Sequence, residues 1–146
     1  MSESEWDAAG WAEGCFETLR SRPTAIRVLV TGGRYFKGSA MVWTVLTDFH
    51  YRIGISCIIQ GGAEGADAFA KHWADRYQVP VAEYVADWAT HGKKAGPLRN
   101  QRMIDEGHPD LVIAFPGGKG TDAMTRRALA AGVATIRMNM PLAACA

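Results

Sequence analysis

The run Pro116-Gly117-Gly118-Lys119-Gly120-Thr121 joins a turn that only small residues allow to a hydroxyl and a cation. Glycines let backbone approach a ligand closely, and the N–H groups that open a following helix are unpaired donors suited to phosphate. Thr121 can cap that helix or bind a phosphate oxygen, and Lys119 can lend charge. The plain alternative is a tight strand-to-helix turn with an ordinary cap.

The design recurs at Gln60-Gly61-Gly62-Ala63-Glu64-Gly65-Ala66-Asp67, so two anion-competent helix N-termini are expected to face one crevice. Gly61 and Gly62 would give backbone approach, whereas Gly65 is expected to permit close helix-to-sheet packing. Asp67 falls in the first helical turn, where it either complements the helix dipole or holds a ribose hydroxyl or a magnesium ion. At Thr31-Gly32-Gly33-Arg34 the Arg34 fork suits phosphate or carboxylate, unless it is an exposed loop residue. Tyr35 and Phe36 beside it either stack on a base or pack.

A polar stretch runs from Asp87-Trp88 through His91, Lys93, Lys94 and Pro97 to Arg99, Asn100 and Arg102. It reads as an ordered loop entering a helix at Pro97, which puts Arg99 and Arg102 on one face with Asn100 beside them. That face suits a phosphate bound on the neighbouring loops, or is simply solvated. No ligand set with zinc-site spacing surrounds His91, so no metal centre is expected, magnesium being the one ion the pattern admits.

These residues need elements to position them. Apolar, β-branched runs at 26–30, 55–59, 79–85, 110–115 and 133–138 alternate with helical stretches at 39–50, to 77, from 97 and to 131. Phe69, Trp73 and Tyr77 recur every fourth residue and form a core stripe. Strands separated by long helices predict right-handed crossovers and a Rossmann-like three-layer α/β fold with a mainly parallel sheet of about five or more strands. Every strand then ends on one edge, and the turns at Gly32, Gly61, Asp87 and Gly117 converge there.

Length and composition agree. A chain of 146 residues with 48% hydrophobic content fits one domain, here 25–140, flanked by a helical extension at 1–24 and a tail at 141–146. Trp6, Trp11, Phe16 and Leu19 give the extension an apolar face for the domain or a second subunit. Cys15, Cys57 and Cys145 are odd in number and far apart, which suggests no disulfide framework and fits a cytoplasmic chain. A net charge of +1 draws the chain neither to nucleic acid nor to a membrane, and no signal-peptide pattern opens it.

Taken in order, Val-Thr-Gly-Gly-Arg34, Gly-Gly-Ala-Glu-Gly-Ala-Asp67, Ala-Asp-Trp88, His-Gly-Lys-Lys-Ala-Gly-Pro97, Arg-Asn-Gln-Arg-Met103 and Phe-Pro-Gly-Gly-Lys-Gly-Thr121 resemble the SLOG superfamily. That Rossmann-like grouping includes the LOG phosphoribohydrolases and the DNA-processing Smf proteins. The resemblance is strongest to its YspA-like branch of small stand-alone bacterial or phage proteins. It implies a nucleotide or nucleotide derivative as ligand, with phosphate on the Gly117 loop and Arg99 and Arg102 as further phosphate ligands. It also implies assembly into a homodimer or larger homo-oligomer. LOG enzymes carry a catalytic Glu where this chain has Met124, and a thioether cannot transfer protons.

The first functional reading is therefore a ligand sensor or binding module, using Gly32, Gly33, Arg34, Gly61, Gly62, Glu64, Asp67, Asp87, Arg99, Asn100, Arg102 and the run 116–121. The second is a nucleotide hydrolase acting on an N-glycosidic or phosphate bond, with Asp67, Asp87, Glu64 or Asp122 as the carboxylate. Single-stranded DNA binding by the Lys93 to Arg102 face ranks below both, because stacking aromatics do not interleave with the cations.

Overall fold

A computed structural model describes Leu19 and residues 25–138. The expected extension and tail lie outside the described residues, apart from Leu19, which is fully buried in the core. Five strands form one sheet: β1 (Ile26–Thr31), β2 (Ile55–Gln60), β3 (Val81–Glu83), β4 (Leu111–Ala114) and β5 (Ala134–Arg137). Their order is β3-β2-β1-β4-β5, and every pairing is parallel. The main helices are α1 (Ser39–Arg52), α2 (Ala66–Tyr77), α4 (Ala95–Asp105) and α5 (Lys119–Ala130). A single turn of helix, α3 (Trp88–His91), and a 3-10 turn (Gly92–Lys94) precede α4.

Strand alternation sorts the side chains into two cores. Val28, Val30, Ile58, Leu111 and Ile113 pack with Val42, Leu46 and Phe49 of α1 and Ala70 and Trp73 of α2. Leu29, Cys57, Ile59 and Val112 point the other way and meet Met103 and Ile104 of α4 and Met124 and Ala128 of α5. The sheet is thus covered on both faces, as parallel sheets must be, and the expected three-layer α/β fold is what forms. The Phe69, Trp73 and Tyr77 stripe packs as expected: Trp73 is fully buried, and the rings of Trp73 and Tyr77 stack 4.9 Å apart. Trp73 Nε1 donates to Thr47 Oγ1 at 3.1 Å, which satisfies the one polar atom that burial of the indole would strand.

The third strand and the approach to Pro97 differ most from the sequence expectation, the other elements shifting at their ends by one or two residues. The third strand is Val81–Glu83, not 79–85, because Pro80 has no N–H to give the ladder and only its carbonyl pairs, accepting from Ile58 N at 2.9 Å. The stretch expected as a loop before Pro97 is already helical from Trp88, and α4 begins at Ala95. Pro97 sits in the first turn of α4, where its missing N–H would have had no helical acceptor.

Candidate functional site

Parallel pairing brings the loops after β1, β2, β3 and β4 to one edge, and the order reverses direction between β1 and β4. At that switch point the two loops close on each other: Gly33 N donates to the Pro116 carbonyl at 2.9 Å, and Phe115 N to the Thr31 carbonyl at 2.8 Å. The loop after β2 presses in from the other side. Gly65 has φ +73°, and a Cβ there would lie 2.2 Å from the Gly33 carbonyl oxygen. Its small size therefore serves loop-on-loop contact rather than the helix-to-sheet packing expected from sequence. Gly117 is equally confined, with Gly33 N and the Thr121 hydroxyl where its Cβ would be.

The β2 loop is tied up internally. Asp67 Oδ2 accepts from Gly61 N at 3.1 Å and Ala63 N at 3.3 Å, while Gly62 N donates to Gln60 Oε1. Gln60 Nε2 in turn donates to Glu83 Oε1 at 2.7 Å, and Lys71 pairs with the same carboxylate at 3.6 Å. Arg99 Nη1 reaches the Gly61 carbonyl at 2.8 Å and the Tyr84 carbonyl at 3.4 Å, and its Nε donates to the buried Asn100 at 2.9 Å. A carboxylate of the chain itself thus sits where the sequence pattern suggested an external anion. Burial pushes Asp67 from the usual 3.8 up to about 6, against the pull of the Ala63 and Gly61 N–H groups and of Arg99, with Glu83 adding to the rise. Burial also lowers the Arg99 guanidinium, which Asp67 opposes.

The loop after β4 is different. Gly118 precedes α5 with φ −103°, and no side chain caps the helix. A Cβ on Gly118 or Gly120 would meet nothing within 4 Å, so there is open space beside the start of α5. Lys119 is exposed there, and Thr121 is buried with its carbonyl accepting from Thr125 Oγ1 at 2.8 Å.

The remaining candidates scatter. Arg34 and Glu64 are exposed at the edge. Phe36 packs on Phe115 with ring centroids 5.9 Å apart, whereas Tyr35 is 81% exposed. Asp87 caps α3 by accepting from Thr90 N at 3.1 Å, and hydrogen bonds from Thr90 hold its carboxyl below the usual range. Arg102 does not join Arg99 on a common target. It pairs with Glu106 at 2.7 Å on the surface, 5.4 Å above the Tyr84 ring. Asp122 pairs with Arg137, and Met124 is fully buried in the core behind the site. Among the described residues, no group of three His, Cys, Asp or Glu side chains is placed to hold a metal ion, and no helix is long and apolar enough to cross a membrane. Gln60, Glu83 and Arg137 were not singled out from sequence; a polar or charged residue closing an apolar strand was the signal available for each.

An all-parallel sheet with glycine turns gathered at its C-terminal edge defines a Rossmann-like α/β architecture. Residues 26–91 match the YspA, cpYpsA-related SLOG family. The Gene 61 protein of Mycobacterium phage D29 is 41% identical over 118 residues, covering 75% of this chain and 94% of that relative. The chain belongs to the YspA, cpYpsA-related SLOG family, and membership points to a nucleotide-related function. No solved structure matches it.

Proposed function

We propose that this protein is a binding module for a nucleotide or nucleotide-derived phosphorylated ligand, with the phosphate seated on the N–H groups that open α5. The observation that carries this reading is the contrast between the two glycine loops. The N–H groups of Gly61, Gly62 and Ala63 are consumed by Asp67 and Gln60, and the start of α2, though it too lacks a capping side chain, is covered at Gly65 by the backbone of Gly33 and Arg34; the uncapped start of α5 has open space at Gly118 and Gly120. Helix N-termini in that condition attract anions through unpaired donors and the helix dipole. Exposed Lys119 adds charge, and exposed Arg34 and Tyr35 stand on the loop across the switch point.

Sensing is favoured over turnover because three of the four candidate carboxylates are engaged elsewhere, Glu64 being the exposed exception. Asp67 holds the β2 loop, Asp87 caps α3 and Asp122 pairs with Arg137. The position that carries the catalytic Glu in LOG enzymes lies in the core as Met124. Hydrolysis is the second reading, and what favours it is Asp67, whose value of about 6 suits general acid–base work.

The test is a thermal-shift screen of the full chain against nucleoside mono-, di- and triphosphates, ADP-ribose, NAD and cyclic dinucleotides, with and without magnesium. Ligands that bind the folded state raise Tm by mass action. A shift for one class that Gly118→Val removes without lowering the Tm of the free protein supports the reading. A flat screen overturns it. Any turnover found with the bound class is then measured in Asp67→Asn, and turnover that persists undiminished removes Asp67 from the hydrolytic reading. Light scattering tests the homodimer or larger assembly that belongs to the same proposal, and a monomeric mass rules it out.

A further inference from the structure

β5 ends in Arg137 on the same sheet edge as the start of α5. Between them lies a cavity of about 140 Å³, walled by Phe115, Pro116 and Gly117 after β4, Thr121 in α5, Arg137 at the end of β5 and Met138 after it. Arg137 Nη2 donates to Asp122 Oδ1, and each side chain of the pair keeps 43% of its surface exposed. An ion pair so accessible to water is weak and readily exchanged.

A guanidinium beside a helix N-terminus stands against the helix dipole, so by itself the position is unfavourable. Asp122, in the first turn of α5, offsets that repulsion and keeps the cation at the cavity. A cation held there completes its charge balance when an anion enters. The volume says what the anion can be: pockets for whole small molecules begin at about 300 Å³, so this cavity takes one chemical group rather than a base and sugar together. A phosphoryl group matches both the planar fork of arginine and the polar rim.

We infer that Arg137 reaches across this cavity to contact directly the phosphate seated at the start of α5, and that Asp122 is the residue that positions Arg137. The inference rests on the nucleotide reading above and names the part of the ligand that the β4–β5 edge recognises. Asp122 is accordingly a positioning residue, not a proton donor.

Calorimetric titration of the full chain with inorganic phosphate, with AMP and with adenosine tests it. Wild type is expected to bind phosphate and AMP, and adenosine far more weakly. Arg137→Gln should weaken phosphate and AMP at least tenfold and leave adenosine unchanged. Arg137→Lys, which keeps the charge without the fork, should fall between, and it carries the test if the Gln variant fails to fold. Asp122→Asn should bind phosphate as tightly as wild type or several-fold tighter, an outcome that a merely structural role for the pair would not produce. Equal phosphate affinity in wild type and Arg137→Gln overturns the inference, as does failure of the wild type to bind inorganic phosphate. The nucleotide reading survives either result if its own screen shows a shift that Gly118→Val abolishes.

Discussion

Asp67 and Arg99 grip the same residue from opposite sides: the Gly61 N–H donates to Asp67 Oδ2 at 3.1 Å, and the Gly61 carbonyl accepts from Arg99 Nη1 at 2.8 Å. Carboxylate and guanidinium share one peptide segment as intermediary, which fixes the end of β2 against the end of β3 through Tyr84. The β2 loop is therefore a rigid wall of the crevice.

The raised Asp67 value makes stability depend on pH. Its folded-state value of about 6 lies above the usual 3.8, so between those limits the folded chain holds the proton and the unfolded chain does not. This contribution is fully present below pH 3.8 and is lost as pH rises through about 6, a change of about 3 kcal/mol from one limit to the other. Asp67→Asn keeps an acceptor for Gly61 and Ala63 without the charge. The difference in unfolding free energy between wild type and Asp67→Asn, from urea titrations at pH 4 and pH 8, should shift in favour of the variant by most of that amount at the higher pH. A difference that stays constant across the range is the contrary result.

Arg99→Met keeps the apolar stem and removes the fork. The Gly61 and Tyr84 carbonyls lose their donor, at a cost of about 1–3 kcal/mol. Because Arg99 lowers the Asp67 value, the same variant should move the Asp67 titration further above 6, readable by NMR of its carboxyl carbon.

Gly65 and Gly118 should respond oppositely to alanine. With φ +73° and the Gly33 carbonyl in the way, Gly65→Ala is expected to cost about 1–3 kcal/mol or more. Gly118→Ala, facing open space at negative φ, should change stability by no more than about 0.5 kcal/mol. Thermal melts of the two variants side by side decide it.

Met124→Glu, which writes the LOG carboxylate into this chain, should not create a hydrolase. It places a charge among Leu29, Met103, Ile104 and Val112 with no partner, and should destabilise the fold by about 3 kcal/mol or more. Denaturant melts read the loss, and release of ribose 5-phosphate from AMP by a folded Met124→Glu variant is the opposing outcome.

The architecture was legible in the sequence because its signals are local. Val28, Leu29 and Val30 alternate faces within one run, and glycine turns follow β1, β2 and β4. Much of the site was not, because its decisive contacts are between residues far apart in the chain. Nothing near Arg99 announces a carbonyl 38 positions away, and nothing near Gln60 announces Glu83. Composition marks the two glycine loops as equivalent, yet one is filled by the chain's own carboxylate and the other is left open. Gly65 illustrates the same limit: its need for small size was readable, but not that its neighbour would be the Gly33 carbonyl.

Gly120 lies in the first turn of α5, meets nothing and has no positive φ, so the fold asks for no glycine there. A glycine in a helix is less favourable than alanine by about 1 kcal/mol. A programme to raise thermostability would choose Gly120→Ala early, and selecting survivors on heat resistance alone would enrich a sturdier chain while adding a methyl group beside the open donors. On the proposed reading, thermotolerance and ligand affinity are set against each other at a single carbon atom.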